Sequence, residues 1–190
     1  MTEYANLLKT PLKLKMRNGE LLNVRFGPSG ICSNPSIRLE DENGTTVDAS
    51  LTITHIDTVI PFRNGFFISG YKRWDQKNQG VICYYYPSPE NNTSLDVVDF
   101  EKFDYPVQEM ILLRGGERAK IAAHDGHKLW ALVIDEVEED GHIHPYLDMI
   151  SLIKSAETIT SIRETEPSQV EYTIGSVTAS FLAIDCKSSY

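Results

Sequence analysis

Cysteine is scarce in this chain and unpaired in pattern. Of 190 residues three are cysteine, Cys32, Cys83 and Cys186, at long spacings and with no Cys-x-x-Cys pair. An odd number of widely spaced thiols argues against a disulfide framework and fits a reducing cytosol. Long apolar runs are also missing. The longest, residues 81–86 and 129–134, fall far short of the ~20 residues that a spanning helix needs, so no membrane contact is expected. The first residues, Met1-Thr-Glu-Tyr-Ala-Asn, show no basic start and no apolar stretch of the kind a secretory signal has, which again points to the cytoplasm.

Basic residues are outnumbered by acidic ones, 18 to 27, giving a net charge of −9. That deficit argues against a protein that coats nucleic acid through phosphate contacts. Nucleotide cradles are absent as well: neither Gly-x-Gly-x-x-Gly nor Gly-x4-Gly-Lys-[Ser/Thr] occurs. Gly27-Pro-Ser-Gly30 follows a strand pattern, but its proline removes a donor and no helix pattern comes after it. There is no Gly-x-Ser-x-Gly elbow and no Asp-x-Asp-x-Asp-Gly calcium loop. Cys32 sits in a Gly/Ser-rich loop, yet nothing in the spacing selects a histidine to activate it. Internal repeats, low-complexity tracts and Ser/Gly linkers are missing, and no motif specifies a reaction.

What is present is turn punctuation. Asn18-Gly19, Asn43-Gly44, Asn64-Gly65, Asp125-Gly126 and Asp140-Gly141 are dipeptides suited to type I′ hairpin turns, because Asn, Asp and Gly tolerate positive φ. They lie between runs of strand composition. Around the first, Leu12, Leu14 and Met16 alternate with Lys13, Lys15 and Arg17, and Leu22, Val24 and Phe26 follow at period two. This predicts a half-buried antiparallel hairpin with Lys13, Lys15, Arg17 and Arg25 on its outer face. Further hairpins are expected around residues 43–44, 64–65 and 125–126, and residues 171–185 read as a last strand region. Asn43-Gly-Thr45 and Asn91-Asn-Thr93 match the glycosylation pattern but read as turns.

One or two helices are expected. Pro145 suits a first helical position, and Leu147, Ile150, Ile153 and Ala156 recur every third residue, so residues 145–156 read as a helix. Thr93-Ser-Leu-Asp96 resembles a capping box ahead of a short helix at 95–103, and residues 3–9 suit another turn or two. The predicted fold is α+β and β-dominated: antiparallel hairpins forming a sandwich, a barrel or a sheet, in one domain over residues 1–190, with the loop 87–94 its weakest point.

Charge is segregated. Residues 1–39 are net +4, residues 40–62 are −5 with no basic side chain, and residues 136–148 are again −5. Glu40, Asp41 and Glu42, with Glu136, Glu138, Glu139 and Asp140, are therefore candidate contacts to a basic partner, the plain alternative being solvated turns. Trp74, Tyr84, Tyr85 and Tyr86, if exposed, are candidate aromatic anchors. The leading function is a small acidic intracellular protein-binding or inhibitor protein without catalysis of its own, akin in size and sign to bacterial or phage accessory proteins.

Two alternatives follow from other residues. His124, His127, His142 and His144, with Asp148 or Asp125, could ligate one divalent transition metal in a hydrolase or a β-barrel metalloenzyme, with Asp148 or Glu139 acting on a bound water. The His142-Ile-His144 tripeptide is shared with cupin-like barrels, but no downstream Glu and His pattern follows it. The aromatic and basic stretch from Arg63 to Trp74, followed by Lys77 and the three tyrosines, could bind single-stranded nucleic acid by stacking, although alternating aromatics more often form a core. Neither partner nor oligomeric state is written in the sequence.

Overall fold

The structure is a computed structural model that describes residues 12–27, 36–49, 51, 53–114 and 118–184, with the backbone alone at Asp48. Cys32, Cys186, residues 3–9, most of Gly27-Pro-Ser-Gly30 and Gly115-Gly116 lie outside the described residues. The chain divides into two compact units, Met1–Lys102 and Phe103–Tyr190.

The first unit holds two antiparallel four-stranded sheets. One runs β1 (Leu12–Lys15), β2 (Leu21–Phe26), β3 (Ile37–Glu40), β4 (Thr46–Ala49); the other runs β5 (His55–Phe62), β6 (Gly65–Trp74), β7 (Lys77–Pro87), β8 (Leu95–Phe100). The expected first hairpin is there: Leu14 lies opposite Leu22, both are buried, and Lys13, Lys15, Arg17 and Arg25 are exposed. Leu14, Val24, Ile37 and Leu39 of one sheet share a buried cluster with Val59, Phe66, Ile68, Val81, Cys83 and Tyr85 of the other, which makes the unit a β-sandwich. Phe66 links the two sheets, stacked on Tyr85 at 5.4 Å and edge-on to Phe26 at 5.5 Å. Burying one such side chain contributes about 1.5–3 kcal/mol.

The second unit pairs β9 (Glu109–Leu113), β10 (Lys120–His124), β11 (Lys128–Glu139) and β12 (His142–Lys154) in the order β12-β11-β10-β9, with a three-stranded sheet of β13 (Ile159–Glu166), β14 (Gln169–Ile174) and β15 (Val177–Leu182). Leu113, Ala122, Leu129 and Ala131 pack with Ile159, Ile162 and Val170 in its core. The two longest apolar runs of the sequence prove to be central strands, β7 and β11. Residues 80–85 and 129–134 are buried on both faces, which removes the alternation a half-exposed strand would show.

The regular structure is β-dominated, and among the described residues there is no helix. The helix expected at 145–156 is the strand β12. It pairs with β11 from His142–Glu139 to Lys154–Lys128, with a register shift opposite Ala131 and Leu132 that leaves Ile150 as an extra residue. That bulge interrupts the period of two and produces the three-residue spacing of a helix. Pro145 is tolerated because β12 is an edge strand, where a missing N–H need not break a ladder. The helix expected at 95–103 is replaced by β8, paired with β7 from Pro87–Leu95 to Ile82–Phe100. Its apparent capping box is a loop in which the Asn91 carboxamide oxygen accepts the Thr93 N–H at 2.9 Å and the Thr93 hydroxyl at 3.0 Å.

The turns differ in detail. Of the five dipeptides only Asp140-Gly141 has positive φ at both residues, 51° and 75°. At Asn64-Gly65 the turn residues are Arg63 and Asn64, and Gly65 is a strand residue. A Cβ there would meet the Tyr85 carbonyl oxygen and the Tyr84 hydroxyl at 2.5 Å, so glycine is required by close approach. Among the described residues no helix is long and apolar enough to cross a membrane.

Candidate functional site

The β11–β12 hairpin runs beyond its neighbour. The β10 ladder ends at Lys120 opposite Val133, with a last bond from the Ile134 N–H to the Ala119 carbonyl at 2.9 Å. From Asp135–Tyr146 to Glu139–His142 only two strands remain among the described residues, closed by the type I′ turn. Period two puts Val137, Glu139, His142, His144 and Tyr146 on one face of this ribbon and Glu136, Glu138, Ile143 and Pro145 on the other.

The root of the ribbon is fixed by polar contacts. Asp135 pairs with the Arg118 guanidinium and accepts the Tyr146 hydroxyl at 3.1 Å and the Glu136 N–H at 2.9 Å. Burial pushes the Asp135 carboxyl up, but these donors and the Arg118 charge outweigh it and hold the group below the ordinary aspartate range. The same hydrogen bond, from the other side, pushes the Tyr146 phenol up. Past that root Glu136, Glu138, Glu139 and Asp140 are all exposed. Between them stand apolar side chains open to solvent, Ile143 at 60% and Val137 at 40%. Tyr146 is missed in the sequence because residues 145–156 read there as a helix, while Val137 and Ile143 are apolar residues standing between the acidic and the histidine candidates. The signal that could have found them is the alternation of Glu136 and Glu138 with Val137, followed across the Asp140-Gly141 turn by His142 and His144 alternating with Ile143.

The other acidic segment is less open. Glu40 ends β3 in an ion pair with Arg25. Asp41 caps its own turn, accepting the Asn43 N–H at 2.9 Å and the Thr45 N–H at 2.8 Å. Glu42 is exposed.

The aromatic candidates separate. Trp74, beside the Asp75-Gln76 turn of the β6–β7 hairpin, is 78% exposed. Tyr84 and Tyr85 are buried: Tyr85 lies in the sandwich core, and Tyr84 packs on Phe67 at 4.7 Å and donates to the Phe62 carbonyl at 3.2 Å. Tyr86 is half-buried against Tyr84, and its phenol is pushed up by burial and by Asp96. A row of bases cannot stack on rings that are already packed. Lys72, in the same stretch, is bound to Asp99 at 3.0 Å and to Glu101.

The four histidines are not brought together. His124 lies opposite Leu129 and His142 opposite Glu139, ten residues apart along β11, on the order of 33 Å at ~3.3 Å per residue. His124 is fully buried. Its Nδ1 accepts the Gly126 N–H at 3.1 Å, so the ring proton is on Nε2, which donates to Glu109 at 2.9 Å. Both nitrogens are engaged, and no lone pair is left for a metal. His127 bonds through Nδ1 to the Ser155 carbonyl at 3.2 Å.

Asp125 is a structural carboxylate. It accepts the N–H groups of Asp104, Tyr105, His127 and Lys128 at 2.7–3.2 Å and so locks the β10–β11 turn. His142 and His144 do share a face, as an HxH strand pair must, but Asp148 is four residues further from the ribbon tip than His144. Among the described residues no three His, Cys, Asp or Glu side chains are grouped to hold a metal ion. Cys83 is buried, and burial first, then Asp99, pushes its thiol well up, away from the thiolate a nucleophile needs.

No protein-family model matches the chain, and no curated protein matches its sequence.

Proposed function

We propose that this protein is a binding or inhibitor protein without catalysis of its own, which engages a protein partner with a basic surface. The reading rests on the β11–β12 ribbon, where four exposed carboxylates surround exposed Val137, Ile143 and Tyr146 at the end of a two-stranded arm. Carboxylates steer and orient a basic partner, while the apolar side chains supply area that water leaves on docking. Trp74 is a second anchor of the type found at interfaces. The proposed setting is the cytoplasm, in keeping with the odd cysteine count, and an accessory role in a bacterium or phage fits the size and charge.

The test is capture of partners from an extract of the source cell by the wild-type chain and by a Glu136→Lys/Glu138→Lys/Glu139→Lys variant. The expected result is a basic protein retained by the wild type, eluted by salt, and lost by the variant at unchanged melting temperature. Retention of the same protein by the variant overturns the reading.

A further inference from the structure

Sheet edges present unpaired N–H and C=O groups, and folded proteins guard them with charges, prolines or clamps. Among the described residues eight strands stand at sheet edges. Seven carry at least one charged side chain or a proline: Lys13 and Lys15 on β1, Asp57 and Pro61 on β5, Pro145 on β12 are examples. On β1 the Asn64 carboxamide also occupies the Lys15 backbone, accepting its N–H at 2.8 Å and donating to its carbonyl at 2.6 Å.

β15 has none of these guards. From Gly175 to Ile184 the chain carries no charge and no proline, and Val177, Leu182 and Ile184 are 65%, 56% and 55% exposed. The Ala183 N–H donates inward to the Ser168 carbonyl at 2.8 Å. Backbone groups alternate along an antiparallel strand, so the N–H and C=O of Thr178, Ser180 and Leu182 point away from β14. No described strand pairs with them.

We infer that this edge joins two copies of the chain. β15 of one copy pairs antiparallel with β15 of the second about a two-fold axis at Ser180, and two three-stranded sheets become one of six strands. In this register Ser180 faces its own counterpart and Thr178 faces Leu182, so all three outward residues exchange backbone hydrogen bonds.

Charge singles out a second copy as the occupant. The chain is strongly acidic, and a charged edge paired with itself sets like charges opposite each other, which opposes association. On β15 no charge meets its equal. Glu171, opposite Ser180 on β14, is balanced by Arg163 at 2.5 Å. The contact is isologous and therefore closes at a dimer. It is independent of the acidic ribbon.

Sedimentation equilibrium of the full chain tests it. The mass is expected to rise with concentration from 21.4 kDa towards twice that value. Ser180→Lys and Ser180→Glu are each expected to remain monomeric with unchanged melting temperature, because the residue on the axis then meets its own charge. An equimolar mixture of the two is expected to regain the dimer. In the wild type, amide exchange at Thr178, Ser180 and Leu182 should slow as concentration rises. A monomer at every concentration, a dimer that survives Ser180→Lys, or a mixture no more associated than its components overturns the inference.

Discussion

Glu164 illustrates how single side chains set the acid stability of this molecule. Its carboxylate accepts the Arg114 backbone N–H at 2.6 Å, the Arg114 Nε–H at 2.8 Å and the Ser168 N–H at 3.0 Å. Burial pushes its pKa up, but these donors prevail and hold it below the ordinary glutamate value of 4.5. A depressed folded pKa means that the unfolded chain binds the proton first as pH falls. The contribution is fully present above about 4.5 and is lost as pH drops through the lower folded value. Glu164→Gln is expected to lower the urea midpoint at neutral pH and to flatten its decline below pH 4.5, read by urea titration at a series of pH values. Asp125 works differently, since its four accepted N–H groups lock a turn that the sequence marks only by its Asp-Gly dipeptide.

Elements explain both the successes and the failures of sequence reading. The β1–β2 hairpin is legible because one face is core and the other is solvent, which writes the period of two into the residues. β8 and β12 are not legible, for opposite reasons. β8 carries adjacent Val97 and Val98 with no clean alternation, and its partner β7 decides its state. β12 carries a bulge that imitates helical spacing.

The acidic ribbon depends on its turn. Gly141 has φ +75° and nothing within 4 Å of an added Cβ, so Gly141→Ala costs only the left-handed penalty of about 1–2 kcal/mol. That cost should appear as faster amide exchange across residues 136–145, with the core strands and the melting temperature little changed. Equal loss of protection in β10 would show that the ribbon is part of the cooperative core.

At the scale of the whole molecule net charge governs behaviour. Eighteen basic against 27 acidic residues give a pI near 5.0, so like molecules repel at neutral pH and lose that repulsion near pH 5. Solubility under a fixed precipitant is expected to pass through a minimum close to pH 5 and to recover by pH 7, read by light scattering. A minimum elsewhere would mean that the folded chain shifts its carboxylates more widely than Asp135 and Glu164 indicate. Each unit holds a cluster of buried residues that joins its two sheets.

The sequence by itself determined the β-dominated class, the first hairpin with its basic outer face, the turn at Asp140-Gly141 and the placement of the acidic segments. Those features depend on local backbone preference and on which side of a strand meets water, and both are written in consecutive residues. Tertiary structure decided the rest. It placed Tyr84 and Tyr85 among packed neighbours, set His124 on β10 and His142 on β12 against opposite ends of β11, turned two expected helices into strands by giving them partners, and left β15 with an edge that no described strand covers. Burial and pairing are properties of residues far apart in the chain, and no local pattern carries them.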